Sequence, residues 1–251
     1  MHLLTVAHPD EPALDMAVSH ALLRRVAAGA HEPAARVYRP GATMAFGRLD
    51  ALREGFPAAL RAAAGHGYTP VLRLGGGHAA GYDAGAVVVE LVVPETAVAR
   101  GLQARFASGT RLLQEALAAL GVRTEAGELP GEYCPGQWSL HLPGGPKVAG
   151  ASQRVVRGAS LFTAVVVAAG GGRLRAALSD VYAGLAIAWD PATAGSIDQH
   201  VPGVGAAAVR AALIAALAAR QDLDPAEPDA ATLAAARDLA AGHRMAAPAA
   251  A

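Results

Sequence analysis

Cys134 is the only cysteine of the chain, and Lys147, thirteen positions later, is its only lysine. Every other basic side chain is an arginine, and asparagine is absent altogether. A bias this strong replaces lysine wherever arginine serves, so the lysine that remains needs its compact, rotatable ammonium. A thiolate is an intrinsically strong nucleophile, and a nearby cation lowers the pH at which it forms. The pair predicts a nucleophilic site in which Cys134 supplies the thiolate and Lys147 the cation that lowers the thiol pKa.

The local setting supports this. Cys134 stands in a Pro/Gly-rich loop, Pro130 to Gly136, and not in an apolar strand. Lys147 follows Gly144, Gly145 and Pro146 and opens an alternating small-residue run, Val148 to Arg154, that leaves space beside it. A second candidate lies upstream, where Val71 to Leu74 feeds Gly75, Gly76 and Gly77. Gly75 to Ala80 formally satisfies the dinucleotide fingerprint, but Gly81, Gly85 and the valines from Val87 predict loop and strand where that motif needs a helix. No Gly-Lys-Ser/Thr follows, so it is not a phosphate loop of the Walker type. Three glycines without Cβ atoms leave a backbone that an elongated ligand can approach. Arg73, just before them, carries a planar fork for a carboxylate or phosphate, and Asp83 follows. His8, Asp10 and Glu11 lack a later His pair to complete a zinc site and read as a polar turn, so no metal is expected.

Composition sets the frame. The chain has 251 residues, 53% hydrophobic and 17% charged, which is ample for a buried core and excludes a disordered chain. A formal net charge of zero gives no global pull toward nucleic acid or anionic membrane, so neither is expected as a partner. A single cysteine makes no internal disulfide. His8, Asp10 and Glu11 stand where a signal peptide would need an apolar run, so a cytoplasmic protein is expected. The stretch Ala159 to Ala169 is too short to cross a bilayer as a helix.

Periodicity predicts helices over 12–28, 57–64, 102–120, 209–219 and 230–241. Strands are expected over 35–39, 43–46, 71–74, 86–93, 138–142, 147–152 and 161–168. Pro225 and Pro228 predict a hinge before the last helix, and the terminal Ala/Pro residues are expected to fray. The expected division is a catalytic domain over 1–223 and an Ala-rich C-terminal helix and tail over 224–251. Hairpin-like neighbours among interleaved helices predict a mixed α/β (α+β) sheet, largely antiparallel and flanked by helices.

Three separated motifs, in order, resemble the lipoate–protein ligase and octanoyltransferase family over about residues 11 to 200. They are the opening helix from Pro12, the Arg73-to-Asp83 glycine loop, and Lys147-Val148-Ala149-Gly150-Ala151-Ser152-Gln153-Arg154, the most specific of the three. The resemblance implies a biotin/lipoate-ligase-like fold. It also implies that Lys147 contacts the acyl carbonyl region, and that Arg73, Gly75, Gly76, Gly77, His78, Tyr82, Asp83, Gly150 and Gln153 line the acyl or acyl-adenylate pocket. A subgroup of octanoyltransferases carries a nucleophilic cysteine in the loop before the lysine strand, where Cys134 stands. The sequence departs from the family pattern at Tyr82 (His), Gly75 (Ser/Thr) and Thr163-Ala164 (His-Gly). Three functions follow as expectations. One is transfer of a lipoyl or octanoyl group through acyl-Cys134, without ATP or metal, from an acyl carrier protein or other acyl donor to a lipoyl domain or glycine-cleavage H-type protein. Another is an ATP- and Mg-dependent lipoate ligase. The third is a non-catalytic acyl- or carrier-binding relative.

Overall fold

The computed structural model describes residues 1–95 and 101–246. In chain order the elements are β1 His2–Leu4, α1 Pro12–Ala27, β2 Ala34–Tyr38, β3 Thr43–Phe46, α2 Phe56–Gly65, β4 Thr69–Leu72, β5 Ala80–Tyr82, β6 Ala86–Glu95, α3 Leu102–Ala118, β7 Glu125–Ala126, β8 Leu140–His141, β9 Lys147–Val156, β10 Gly158–Val167, α4 Gly171–Gly184, α5 Ala206–Ala218, β11 Asp224–Ala226 and α6 Ala230–Ala240. Eight strands form one sheet in the order β11-β1-β2-β6-β10-β9-β8-β7, and β4-β3-β5 form a second. In the large sheet β1 runs parallel to β2 and β11, and the remaining pairs are antiparallel. The expected mixed, largely antiparallel sheet flanked by helices is what the chain forms.

The period-2 alternation of β10 assigns its neighbours. Phe162, Ala164 and Val166 pack with α3 and α5, while Ala159 and Leu161 pack beneath α1 and α6. Further along that second face, Val165 and Val167 meet the residues of the small sheet and of α2 and α4. Thr163 lies between these two packing regions on the same face. Gly109 of α3 is required by this packing, since a Cβ there would fall 2.3 Å from the Phe162 ring.

Pro12 opens α1, with Asp15 in its first turn and Arg24 and Arg25 in its last, as the helix dipole favours. Its buried face meets a charge cluster. Arg36 of β2, 1% exposed, donates to Asp15 Oδ1 and Glu90 Oε2, both at 2.9 Å. Ser19 bridges the cluster, accepting from Arg36 and donating to Glu90, each at 2.6 Å. Burial raises the Glu90 pKa, with Arg36 opposing it.

Several elements differ from the sequence expectation. Helix α4 was not expected, because Gly170-Gly171-Gly172 at its opening are poor helix formers with no side chain to mark a periodicity. Its buried Leu174, Ala177, Leu178, Val181 and Tyr182 nevertheless keep helical spacing. The three-residue β1 and β5 were too short to announce themselves. The strand expected over 138–142 contracts to Leu140–His141. Pro225 lies not in a hinge but in β11, an edge strand, where its missing N–H costs no ladder bond. Helix α6 then packs on α1. The turn after it clamps β4, with Leu72 N–H donating to His243 O at 2.9 Å and His243 Nδ1 meeting Leu72 O at 2.7 Å. His243 Nε2 meets His20 Nδ1 at 3.0 Å, and burial holds both imidazoles below their ordinary pKa, His20 at about 4. The tail expected to fray, 247–251, lies outside the described residues. No helix among those described is long and apolar enough to cross a membrane.

Replacing Arg36 with Met leaves Asp15 and Glu90 buried without their cation. The expected loss is about 3–5 kcal/mol of stability, read from denaturant unfolding of the two proteins.

Candidate active site around Cys134

The loop carrying Cys134 is folded around a carboxylate. Glu132 is buried and accepts four hydrogen bonds. Leu129 N–H reaches Oε2 at 3.2 Å, while Gly136 N–H at 3.0 Å, Ser139 Oγ at 2.6 Å and Lys147 Nζ at 3.1 Å converge on Oε1. Lys147, at the first position of β9, also donates to the Tyr133 and Cys134 carbonyls at 3.0 and 2.9 Å. Its ammonium sits 4.6 Å from the Tyr133 ring centroid. An ammonium has three hydrogens, and all three are occupied here.

So constrained, Cys134 adopts φ 42°, a left-handed conformation uncommon outside glycine. Its N–H donates to the Tyr182 hydroxyl at 2.7 Å, which in turn donates to Ala79 O at 3.0 Å, tying the loop to α4 and to the glycine loop. The half-buried sulfur faces Arg73, not Lys147: Arg73 Nη2 donates to Sγ at 3.2 Å and to His78 O at 2.6 Å. The lowering of the thiol pKa expected from Lys147 is thereby shared with Arg73, which the sequence did not set beside the sulfur. Lys147 is close enough to act through its charge, while its hydrogens grip the loop. Burial opposes ionisation of the thiol. The charges of Arg73 and Lys147, the Arg73 bond and a bond from the His78 backbone outweigh it, and the thiol lies below its ordinary pKa.

The glycine loop makes this approach possible. Gly77 has φ 91°, and a Cβ there would lie 2.7 Å from both Cys134 Sγ and Arg73 Nη2. A Cβ on Gly75 would fall 2.4 Å from Ser152 Oγ, so the hydroxyl from β9 fills the space of the missing Ser/Thr. These residues border a cavity of about 430 Å³ with Met16, Leu74, Phe106, Trp138, Leu161 and Val165 among its walls. Trp138 stacks on Phe106 with 5.9 Å between centroids, and Thr163 lies within the groove.

Of the residues named from sequence, Cys134, Lys147, Arg73, Gly75, Gly76, Gly77, Tyr82, Gly150 and Gln153 all border this cavity. His78 contributes backbone only, for its ring turns away to the buried Asp50, 2.8 Å from Nδ1 to Oδ1. Asp83 stands apart, accepting from Gly85 N–H, Tyr68 and Arg173 at the turn into β6. Gln153 lashes the rim, donating to Leu102 O and accepting from Arg105, each at 2.8 Å. Sequence reading missed Glu132 and Tyr182. Glu132 was visible as an acid two residues before Cys134, whereas Tyr182 lies on a helix that gave no clear start. Among the described residues no three His, Cys, Asp or Glu side chains group to hold a metal ion.

Two outcomes follow. Alkylation of Cys134 by iodoacetamide, followed against pH, has its midpoint below the ordinary thiol value of about 8.5. With the folded pKa depressed, stability from this group is present above the ordinary range and is lost as pH falls through the folded thiol's own range. Glu132→Ala leaves Lys147 buried without a counter-charge, and unfolding experiments are expected to show a loss of about 3–5 kcal/mol.

Residues 11–218 match the lipoyl protein ligase A/B catalytic domain. The chain is 36% identical over 166 residues to an octanoyl-GcvH:protein N-octanoyltransferase of Geobacillus kaustophilus, covering 64% of this chain and 57% of that protein. It is 39% identical over 122 residues to the enzyme of the same name from Exiguobacterium sibiricum, covering 47% and 43%. The chain thus spans only about half the length of these curated relatives. A lipoate-protein ligase A bound with ATP superposes with TM-score 0.76 at 21% identity, covering 96% of this chain and 94% of that one. The Thermoplasma acidophilum lipoate protein ligase with bound lipoic acid gives 0.74 at 19%, covering 95% and 93%, and at such identities the likeness is one of fold. With the family model spanning most of its length, the chain belongs to the lipoyl protein ligase A/B catalytic domain family.

Proposed function

We propose that this protein moves an octanoyl group between protein lysines through an acyl-Cys134 thioester. One observation carries the reading: a cysteine sulfur, held 3.2 Å from a guanidinium, faces the cavity described above. The relatives named for octanoyl-GcvH:protein transfer supply the substrate class. Their name puts GcvH on the donor side, so the H-type protein, which the sequence reading placed among acceptors, becomes the proposed donor. A lipoyl-type domain is the proposed acceptor.

The chemistry balances with these residues. The Cys134 thiolate attacks the acyl carbon of octanoyl-lysine, and the carbonyl electron pair moves to oxygen. Collapse re-forms the carbonyl and breaks the C–N bond, and the departing lysine amine takes up the proton the thiol gave up on ionising. The acceptor lysine, as its free amine, then attacks the thioester: the C–N bond forms, the C–S bond breaks, and the proton the amine loses returns to the departing sulfur. Amide to thioester is uphill and thioester to amide downhill, so the exchange of one amide for another needs no ATP. Along the groove face, Leu161 to Val167 offers about 20 Å of strand for an extended chain.

ATP and Mg belong to the ligase alternative. With all three Lys147 hydrogens held by Glu132 and two loop carbonyls, the lysine has none to offer an acyl phosphate. This favours the transferase reading.

The test is intact-protein mass after incubation with an octanoylated H-type protein, for wild type and Cys134→Ser. A hydroxylamine-labile octanoyl adduct on the wild type alone is expected. Octanoate-driven ATP–pyrophosphate exchange that survives in Cys134→Ser would instead establish the ligase.

A further inference from the structure

We propose that Arg73 is a catalytic residue, and that its guanidinium, not the Lys147 ammonium, receives the negative charge of the reaction. Nη2 would hold the Cys134 thiolate and Nε would donate to the acyl oxygen as it becomes an oxyanion. This deepens the acyl-Cys134 reading and rests on it.

Three observations lead here. The first is negative: Lys147 has its three hydrogens on Glu132 Oε1 and on the Tyr133 and Cys134 carbonyls, at 3.1, 3.0 and 2.9 Å. Turning one toward substrate would strip a buried carboxylate or a loop carbonyl of its donor. The second is contact, since Arg73 Nη2 already touches the nucleophile at 3.2 Å. The third is an orphan. Arg73 Nε is buried and has no hydrogen-bond partner, although the residue borders the acyl cavity. An unmet buried donor is costly and calls for an explanation. An acyl carbonyl entering the cavity supplies the acceptor.

The shape of the fork fits the adduct. Nε and Nη2 share the edge of the guanidinium that meets carboxylates in bidentate pairs. The tetrahedral adduct at the acyl carbon presents sulfur and oxygen on one carbon, as a carboxylate presents two oxygens. When sulfur bonds to carbon its charge passes to oxygen, and the neighbouring hydrogen of the same fork is in place to follow it. The Nη2 end of the fork is held before substrate arrives. Nη2 also donates to His78 O at 2.6 Å, and the His78 ring is anchored on buried Asp50 at 2.8 Å. Donors fixed in advance lose little to reorganisation when charge develops. Arginine also remains charged across the accessible pH range, so its donors persist where lysine begins to deprotonate.

The experiment compares wild type, Arg73→Gln and Arg73→Lys by two readouts on the whole protein. One is the pH profile of iodoacetamide alkylation, which needs no acyl chemistry. The other is the rate of Cys134 acylation by 4-nitrophenyl octanoate, followed by mass. Arg73→Gln should shift the alkylation midpoint upward. Acylation should remain about 10²-fold slower even at pH values where its thiol is fully ionised. Arg73→Lys, which keeps a buried cation and guards against mere misfolding, should move the midpoint back toward wild type yet stay at least about tenfold slower in acylation. Arg73→Gln acylating within about threefold of wild type once ionised would overturn the oxyanion role, and an unmoved midpoint would overturn the thiolate role. A wild-type protein that alkylates normally but takes no octanoyl group would overturn the acyl-transfer reading itself.

Discussion

The buried ion pair of Glu132 and Lys147 is the contact on which the site depends. A carboxylate removed from water needs every lone pair answered, and this one collects two backbone amides, a serine hydroxyl and an ammonium. Those donors come from both ends of the Cys134 loop and from the first residue of β9, so answering the charge closes the loop onto the sheet. The same ammonium holds the carbonyls of Tyr133 and Cys134. Left-handed backbone at Cys134 is tolerated because its neighbours on both sides are already fixed. The singleton lysine is thus needed for its geometry: three hydrogens diverging from one nitrogen, which a planar guanidinium cannot imitate.

A second constraint places the groove. One face of β10 is covered at one end by α1 and α6 and at the other by the small sheet with its two helices. The groove lies along that face, walled by valines and leucine and broken only by Thr163, whose hydroxyl lies 3.4 Å from buried Glu90. The Arg36 cluster therefore does more than join α1 to the sheet. It supplies the charge balance beneath the only polar residue of this strip of β10.

The departures from the family pattern have physical counterparts. The hydroxyl lost at Gly75 is replaced in space by Ser152, because a glycine on the loop lets the β9 side chain advance. Tyr82 stands in the cavity wall in place of a histidine, and burial raises its pKa, so the phenol stays neutral. A group that changes charge near neutrality is exchanged there for one that does not. The ionisable chemistry of this pocket is concentrated on Cys134.

The sequence by itself determined the chemistry on offer and most of the scaffold. A lone cysteine in a Pro/Gly loop, a lone lysine opening a small-residue strand and an arginine before three glycines are statements about residue type. The valine-rich runs and amphipathic helices follow from periodicity, which is local. What the sequence left undecided depends on partners far apart in the chain. Arg73 and Cys134 meet across 61 positions, and Tyr182 reaches the Cys134 amide across 48, from a helix whose glycine-rich start hides it. Lys147 was placed in the right site, but proximity in sequence says which groups are near and not which lone pair each hydrogen finds. Pro225 reads locally as a break and becomes an edge strand only because β1 is there to pair with it. Hydrogen-bond direction and burial exist only once the chain has folded, and those two quantities decide which cation serves the sulfur.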